Sequence, residues 1–236
     1  MIKLIVSDID GTLVPEGNTD LNPEYLEVIK KLTEKGIVFA AASGRHASSI
    51  HAVFQPVSER IYYVSDNGAC IEKNGKEERA LYLPAKELRE LLYEARKMEG
   101  CYVMFSAVDG FYTDAKDETF SVGVLGGYKG NKSVVEDLEA YVDKSIKMAI
   151  YCPDGAIDIY KEVNKRWGDR FSVNISGDRW VDINLQEATK GKAVAWIQQQ
   201  TGASPKETVV FGDNFNDMSM LKQAHYSFAS ELSHPD

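Results

Sequence analysis

Four short apolar runs constrain this chain more than any other feature of its sequence. None alternates apolar with polar residues, so each is expected to be a strand buried on both faces, as in a parallel sheet covered by helices. The runs span residues 4–6, 37–42, 61–64 and 208–211. Between the first two, Asn22 and Pro23 favour the start of a helix and Gly36 favours its end. The pattern predicts a right-handed strand–helix–strand unit.

Each run is followed by polar or small residues, among them Asp8, Ser43, Asn67 and Asp213. Ligands of open α/β sheets bind at the carboxyl ends of the strands, so four such ends would assemble one site. Ordinary turn residues would explain any single end. They explain less well why the first run leads into two carboxylates, Asp8 and Asp10, with one residue between them.

The middle of the chain, from about residue 84 to residue 186, has a different pattern. Its apolar residues alternate with polar ones and its turns are frequent, which predicts an antiparallel sheet covered on one side only. Asp109 and Gly110 predict a hairpin, and Ser133 with Glu136 forms a capping box that predicts a helix start. We interpret this stretch as an α+β module inserted between the third and fourth strands of the main sheet.

Composition excludes several classes of protein. The 236 residues carry a net charge of −9, which argues against nucleic acid as a partner but leaves room for a small phosphorylated ligand. The three cysteines are far apart and form no CxxC pair, so we predict neither a disulfide framework nor a zinc ribbon. Without a signal peptide or an apolar stretch of membrane-spanning length, the sequence favours a cytoplasmic protein with no membrane partner, a monomer or a weak homodimer.

The strongest local signal is the segment from Asp8 to Thr12, which reads Asp-Ile-Asp-Gly-Thr. Residues two apart in a strand point to the same face, and Gly11 lets the chain turn so that both carboxylates can face one small space. Two close anions need a cation, and a hard divalent ion such as Mg²⁺ suits oxygen ligands. A solvated acidic turn is the alternative, and the buried strand before it makes that reading the weaker one.

The same segment is similar to the DxDGT signature of the haloacid dehalogenase superfamily. Three more segments resemble its later motifs in order: Ser43-Gly44-Arg45, the surroundings of Lys190, and residues 212–221, Gly-Asp-Asn-Phe-Asn-Asp-Met-Ser-Met-Leu. Motif order and the place of the insert resemble the Cof-type subgroup with its large α/β cap (class IIB). The resemblance implies an α/β fold with a Rossmann-like core, residues 1–83 and 187–236, and a cap domain, residues 84–186.

The resemblance also implies how the acidic residues work. Asp8 would be the nucleophile that takes the phosphoryl group, and Asp10 would protonate the leaving alcohol and then deprotonate the attacking water. Mg²⁺ would be bound by the carboxylates of Asp8 and Asp213 and by the main-chain carbonyl of Asp10. Ser43 stands where threonine is commoner in the family, and it keeps the hydroxyl.

A second set of residues would hold the phosphate and support the site. The resemblance, supported by charge and hydrogen-bonding capacity, implies four phosphate ligands: Ser43, Gly44, Lys190 and Asn216. Asp217 would orient this set through water or through Lys190 rather than as a direct ligand, and Asn67 and Arg45 would support it. For Arg45 the sequence leaves two partners open, the phosphate itself or a carboxylate of the cap.

These residues predict a Mg²⁺-dependent phosphatase of small phosphorylated metabolites, either sugar phosphates or phosphorylated cofactors, with the cap choosing the substrate. A phosphosugar mutase or phosphotransferase of the same superfamily is the first alternative. A phospho-acceptor signalling module is the second, and the large insert and Asp10 argue against it. Family members usually continue through one more helix past the position of Asp236, so the sequence leaves open whether a terminal segment is missing.

Overall fold

A computed structural model describes residues 1–15, 20–127, 130–231 and 233. The chain divides into two compact units, one of residues 1–79 with 187–236 and one of residues 80–186, whereas the sequence pattern placed the first boundary at residue 84. Within the described part, we find no helix with the length and apolar character that crossing a membrane requires.

The described residues form thirteen strands and six α-helices. The strands are β1 (Leu4–Asp8), β2 (Val38–Ala42), β3 (Tyr62–Ser65), β4 (Cys70–Lys73), β5 (Lys76–Ala80), β6 (Tyr102–Ala107), β7 (Gly110–Thr113), β8 (Lys132–Val134), β9 (Ser145–Tyr151), β10 (Phe171–Ser176), β11 (Trp180–Leu185), β12 (Thr208–Gly212) and β13 (Tyr226–Ala229). The α-helices are α1 (Pro23–Glu34), α2 (Ala47–Val53), α3 (Ala85–Ala95), α4 (Ile157–Trp167), α5 (Lys190–Thr201) and α6 (Met218–Leu221).

The first unit is built on a seven-stranded sheet in the order β13-β12-β1-β2-β3-β4-β5. The five strands from β13 to β3 are parallel, and β4 runs antiparallel to β3. The predicted parallel-sheet core is therefore confirmed. Its central strand, β1, lies between β12 and β2, so the residues that follow these three strands emerge at one edge of the sheet.

Both faces of this sheet are buried, as the apolar runs predicted. Neighbouring residues of β2 point to opposite faces: Ala40 packs in a cluster with Val194 and Ile197 of α5, and Phe39 packs in another with Ile29 of α1. Helix α1 begins where the sequence predicted, because the Asn22 side chain accepts a hydrogen bond from the N–H of Glu24 at 3.0 Å.

The second unit is a six-stranded sheet in the order β10-β11-β9-β6-β7-β8. The first five strands are joined by antiparallel pairs, and β8 lies parallel to β7. Helices α3 and α4 cover one face, where Leu88, Leu92 and Trp167 pack against Phe105 and Met148. The predicted mixture of an antiparallel sheet and helices is confirmed for this part of the chain.

The prediction of a helix that starts at the Ser133 capping box is wrong. Residues Lys132–Val134 form strand β8 beside β7, and the following 3₁₀-helix, Leu138–Lys144, begins after Asp137. The Asp137 side chain accepts a hydrogen bond from the N–H of Glu139 at 2.9 Å and so caps that helix. The β-branched Val134 suits a strand, and the true cap lies four residues further on.

The prediction that this sheet is covered on one side only is also wrong. Its second face carries a smaller apolar cluster closed by Phe120 and Leu125, which belong to short helical turns between β7 and β8. The Phe120 ring stacks on Tyr102 at 4.8 Å between centroids and lies 5.5 Å from the ring of Tyr151. An irregular segment therefore shields the face that the strand alternation alone assigns to solvent.

Two of the three cysteines meet in this second unit, although the sequence separates them. The register of β6 and β9 pairs Tyr102 with Tyr151, which places Cys101 opposite Cys152. The N–H of Cys152 donates to the carbonyl of Arg179 on the other side of the strand, not to Cys101. Cys101 and Cys152 therefore form a non-hydrogen-bonded pair, the kind of antiparallel pair in which side chains approach most closely. Pairs of this kind have Cα atoms about 4.5 Å apart, which lies within the range that a disulfide spans.

We expect a mild two-electron oxidant such as diamide to join Cys101 and Cys152 with the loss of two hydrogens. The reaction should be slow at neutral pH, because burial raises the pKa of Cys101 and raises that of Cys152 to about 12. The cross-link should stabilise the fold by about 2–4 kcal/mol. Mass spectrometry and thermal unfolding of oxidised protein check this, with Cys101→Ser as the control. Failure of the native protein to cross-link at high pH would contradict the expectation.

Candidate active site

Asp8 is the last residue of β1 and lies almost fully buried at the edge where the parallel strands end. The chain then turns sharply, since the N–H groups of Leu13 and Val14 both donate to the carbonyl of Ile9. Gly11 makes this turn with φ +88°, and a Cβ there would overlap the carboxylate of Asp213. Only glycine satisfies both the backbone angle and the close approach.

Lys190 lies buried between two carboxylates. Its Nζ donates to Asp8 Oδ1 at 2.5 Å and to Asp217 Oδ1 at 2.6 Å, and its side chain is 1% exposed. The lysine is the first residue of α5, and the Thr189 side chain caps that helix by accepting from the N–H of Lys192. A residue that the sequence could treat as a solvated surface lysine is therefore the internal counter-ion of the candidate nucleophile.

Burial and charge act on these groups in opposite directions. Burial raises the pKa of the Asp8 carboxyl to about 7, against the lowering effect of the Lys190 ammonium. Burial opposes the charge of Lys190 as well, but the carboxylates of Asp8 and Asp217 outweigh it and raise the pKa of that amine. The lysine therefore stays charged, and it favours the anionic form of Asp8.

Asp217 organises the loop after β12. Its Oδ2 accepts hydrogen bonds from the N–H groups of Asp213 and Asn214, at 2.9 and 3.1 Å, and its Oδ1 accepts from Lys190. Both carboxylate oxygens are thus engaged by this chain. Asp213 is held from the other side, because the Thr12 hydroxyl donates to its Oδ1 at 2.8 Å.

The acidic residues here suit a divalent cation. Carboxylate oxygens of Asp8, Asp213 and Asp217 lie within 4.8 Å of one another, and among the described residues the buried Oδ2 of Asp8 has no hydrogen-bond partner. Hard oxygen donors with excess negative charge are the ligands that Mg²⁺ prefers. Because Asp217 already uses both oxygens, Asp8 and Asp213 fit the ion best.

Asp10 has a different neighbourhood from Asp8. The Arg45 guanidinium forms a bidentate ion pair with the Asp10 carboxylate: Nε donates to Oδ2 at 2.9 Å and Nη2 donates to Oδ1. The Ser43 hydroxyl lies 3.4 Å from the same Oδ2 and also accepts from the N–H of Arg45 at 3.1 Å. The sequence left two partners open for Arg45, the phosphate or a carboxylate of the cap. In the structure, Arg45 instead pairs with Asp10 of the core.

The remaining predicted residues gather at the same strand ends. Ser43 and Gly44 form the loop after β2, and the N–H of Asn67 donates to the carbonyl of Ser43 at 3.0 Å. The exposed side chain of Asn216 donates to Asn67 Oδ1 at 3.1 Å. The structure thus brings Asn67 and Asn216 together from two distant loops of the first unit.

Two contributors were not assigned roles from the sequence. Thr12 holds Asp213, and the Ser219 hydroxyl accepts from the N–H of Gly191 at 3.0 Å and so ties α5 to α6. Thr12 carried a usable signal, since it closes the Asp-Ile-Asp-Gly-Thr segment. Ser219 carried none, because one serine in a short helix has no distinctive spacing.

Comparison with known proteins identifies the family of this chain. A family model of haloacid dehalogenase-like hydrolases matches residues 5–235, so the chain belongs to that family. It is similar to the 5-amino-6-(5-phospho-D-ribitylamino)uracil phosphatase YbjI of Escherichia coli (strain K12), at 25% identity over 98% of this chain and 85% of that protein. It is also similar to the HMP-PP phosphatase of Klebsiella pneumoniae (strain 342), at 25% identity over 94% of this chain and 81% of that one.

Solved structures agree with this assignment. A structure from Eubacterium rectale superposes with a TM-score of 0.89 at 27% identity and covers 99% of this chain and 89% of its own. The Thermotoga maritima protein TM0651 has the same fold, with a TM-score of 0.88 at 21% identity over 100% of this chain and 88% of that one. The chain is a Cof-type phosphatase of the haloacid dehalogenase-like hydrolases, as its motifs suggested.

Proposed function

We propose that this phosphatase hydrolyses small phosphomonoesters in a Mg²⁺-dependent reaction that passes through phosphorylated Asp8. One observation carries the proposal. The buried Asp8 carboxylate is paired with Lys190 through one oxygen, and its other oxygen has no hydrogen-bond partner among the described residues. That is the arrangement of a nucleophile whose anionic form the buried ammonium favours while the second oxygen remains available to attack.

Each residue has a part in the two steps. An Asp8 oxygen bonds to phosphorus while the bond from phosphorus to the leaving oxygen breaks, and Asp10 gives that oxygen its proton. Water then attacks the phosphorylated Asp8 with Asp10 as the base, which releases phosphate and restores the carboxylate. The ammonium of Lys190 stabilises negative charge that develops on the transferred group.

The cation would be held by the carboxylates of Asp8 and Asp213, with the main-chain carbonyl of Asp10 as a third ligand. When bound, Mg²⁺ offsets the repulsion between the Asp8 carboxylate and an anionic phosphate. Thr12 and Asp217 fix Asp213 through its Oδ1 and its N–H, so the ligand is positioned by the chain itself.

Chelation with EDTA is expected to abolish phosphate release, and added Mg²⁺ is expected to restore it. Ca²⁺ should bind but support little turnover, because its larger and looser coordination misplaces the nucleophile. Asp213→Asn should raise the Mg²⁺ concentration needed for half-maximal activity, and calorimetry should show weaker Mg²⁺ binding. Asp20→Asn, the same change at an exposed position, is the control. Full activity of exhaustively chelated enzyme would refute the metal requirement.

Replacing Asp10 with asparagine is expected to slow poor leaving groups more than good ones. An alkyl phosphate needs a proton on its leaving oxygen and should lose about 10²–10⁴-fold in kcat. p-Nitrophenyl phosphate needs little protonation and should lose much less in its first step. Steady-state kinetics on both substrates, with burst measurements to separate the steps, check this. Equal losses for the two classes would remove the acid role from Asp10.

The substrate is proposed by chemical class. The relatives named for a phosphoribitylamino-uracil and for HMP-PP favour phosphorylated cofactor intermediates, and sugar phosphates are the second group to try. We assign the choice among them to the inserted unit, residues 80–186, because the core residues described above bind only groups common to every substrate. A phosphate-release screen over both groups tests this, and formation of an isomer without phosphate release would indicate a mutase instead.

A further inference from the structure

Three consecutive residues at the end of β3 adopt left-handed backbone angles. The φ values are +47° for Asp66, +58° for Asn67 and +103° for Gly68. Elsewhere in the described chain, Asn74 is the one other non-glycine residue with positive φ. Side chains make this conformation costly, so a run of it persists only where surrounding contacts hold it.

The backbone of this turn holds the loop that carries Ser43 and Arg45. The N–H of Asp66 donates to the carbonyl of Arg45 at 2.9 Å, and the N–H of Asn67 donates to that of Ser43 at 3.0 Å. Left-handed angles point these two successive N–H groups at the same loop. Two hydrogen bonds to the predicted phosphate-binding segment therefore stabilise the left-handed conformation of this turn.

The turn also touches the start of α5. A Cβ on Gly68 would overlap the carbonyl of Thr189, the residue immediately before Lys190. The three-residue turn thus lies against two chain segments that bear functional groups. Glycine at this position permits the approach, which no other residue type allows.

The Asn67 side chain lies close to Gly44 and Asn216, two of the predicted phosphate ligands. Its amide atoms lie 3.3 Å from the place where a Cβ on Gly44 would stand, and its Oδ1 accepts from Asn216 Nδ2 at 3.1 Å. That hydrogen bond turns the Nδ2 group of the exposed Asn216 amide toward Asn67. It therefore sets the direction in which the Oδ1 atom of Asn216 points.

We propose that Asn67 is a positioning residue for phosphate recognition: its left-handed backbone aligns the Ser43–Arg45 loop, and its side-chain amide orients Asn216. The inference rests on the proposed function, because it needs a phosphate group to recognise. The alternative is that this turn contributes to folding alone. A positioning role predicts that loss of the Asn67 amide weakens phosphate binding, and a purely structural role predicts that it does not.

The test compares Asn67 with Asn74, which has nearly the same φ (+53°) in the exposed turn between β4 and β5. Asn67→Gly keeps the backbone conformation at no steric cost and deletes the amide. The thermal midpoint should be unchanged or higher, while the affinity for inorganic phosphate, measured by calorimetry with Mg²⁺ present, should fall on the order of tenfold. Asn74→Gly should leave phosphate affinity unchanged.

A second pair of variants separates strain from recognition. Asn67→Ala and Asn74→Ala should both lower the thermal midpoint, because alanine is costlier than asparagine at positive φ, and only Asn67→Ala should weaken phosphate binding. Adding Asn216→Ala to Asn67→Gly should cost less than the two single losses combined, since both remove one interaction.

The outcomes distinguish the two levels of the proposal. If wild-type protein neither binds inorganic phosphate nor releases it from phosphomonoesters, the proposed function fails, and the role of Asn67 fails with it. If wild-type protein binds phosphate and Asn67→Gly binds it equally well, the positioning role alone is overturned. Additive losses in the Asn67→Gly/Asn216→Ala variant would refute the coupling between the two amides.

Discussion

Asp8→Asn is expected to lower kcat on the order of 10⁴-fold or more while leaving the fold intact. The amide has the shape of the carboxylate but lacks the anion that attacks phosphorus, and it is a poorer ligand for Mg²⁺. Folding should survive, because the amide oxygen can still accept a hydrogen bond from Lys190. Single-turnover kinetics and circular dichroism of the purified variant measure both effects.

Acid quenching gives a second readout of the same step. With a ³²P-labelled substrate, the wild-type enzyme should carry label on the protein during turnover, and Asp8→Asn should carry none. Exposed Asp20→Asn, prepared in the same way, controls for the effects of substitution and preparation and should behave as wild type. Label that persists on the Asp8→Asn protein would place the nucleophile elsewhere.

Lys190→Met is expected to cause a large loss of stability as well as of activity. The substitution leaves the carboxylates of Asp8 and Asp217 buried without the ammonium that both now contact. Breaking a buried ion pair from one side costs about 3–5 kcal/mol of unfolding free energy. Urea unfolding at neutral pH measures this, and phosphate release should fall to background because charge on the transferred group is no longer stabilised.

The adjacent helix surface offers a matched control for that result. Lys192 belongs to the same helix, but its side chain is half exposed and its Nζ lies 3.8 Å from Glu187. Lys192→Met should therefore change stability by less than about 1 kcal/mol. Adding Asp217→Asn to Lys190→Met should recover part of the lost stability by removing one uncompensated charge. A loss of equal size at both lysines would contradict the buried pairing.

Sequence reasoning succeeded where a local pattern has one physical solution. Short apolar runs without alternation, each bounded by turn residues, indicate strands buried on both faces, and polar residues after such parallel strands emerge at one edge of the sheet. The positions of Asp8 and Asp213 followed from that alone. The roles of Lys190 and Asn216 came from the family resemblance, because a lone lysine before a helix has no distinctive pattern of its own.

Sequence reasoning failed where the outcome depends on which side chains meet in space. The grip of Arg45 on Asp10 depends on the approach of two loops and on side-chain rotamers, neither of which spacing encodes. The meeting of Cys101 and Cys152 depends on the register of β6 and β9. Ser133 and Glu136 have the spacing of a capping box, yet Ser133 lies in strand β8 at the sheet edge and Asp137 caps the helix that follows.

The turn at Gly11 has a consequence for how this enzyme can evolve. Every amino-acid replacement of a glycine adds a Cβ atom, and here that atom would collide with the Asp213 carboxylate in a backbone conformation that already disfavours it. No missense change of the Gly11 codon is therefore expected to be neutral. The peripheral Gly177, also at positive φ but with no atom within 4 Å of its would-be Cβ, has steric room for substitution. In a mutational scan, we expect every amino-acid substitution at Gly11 to lower activity and several substitutions at Gly177 to be tolerated.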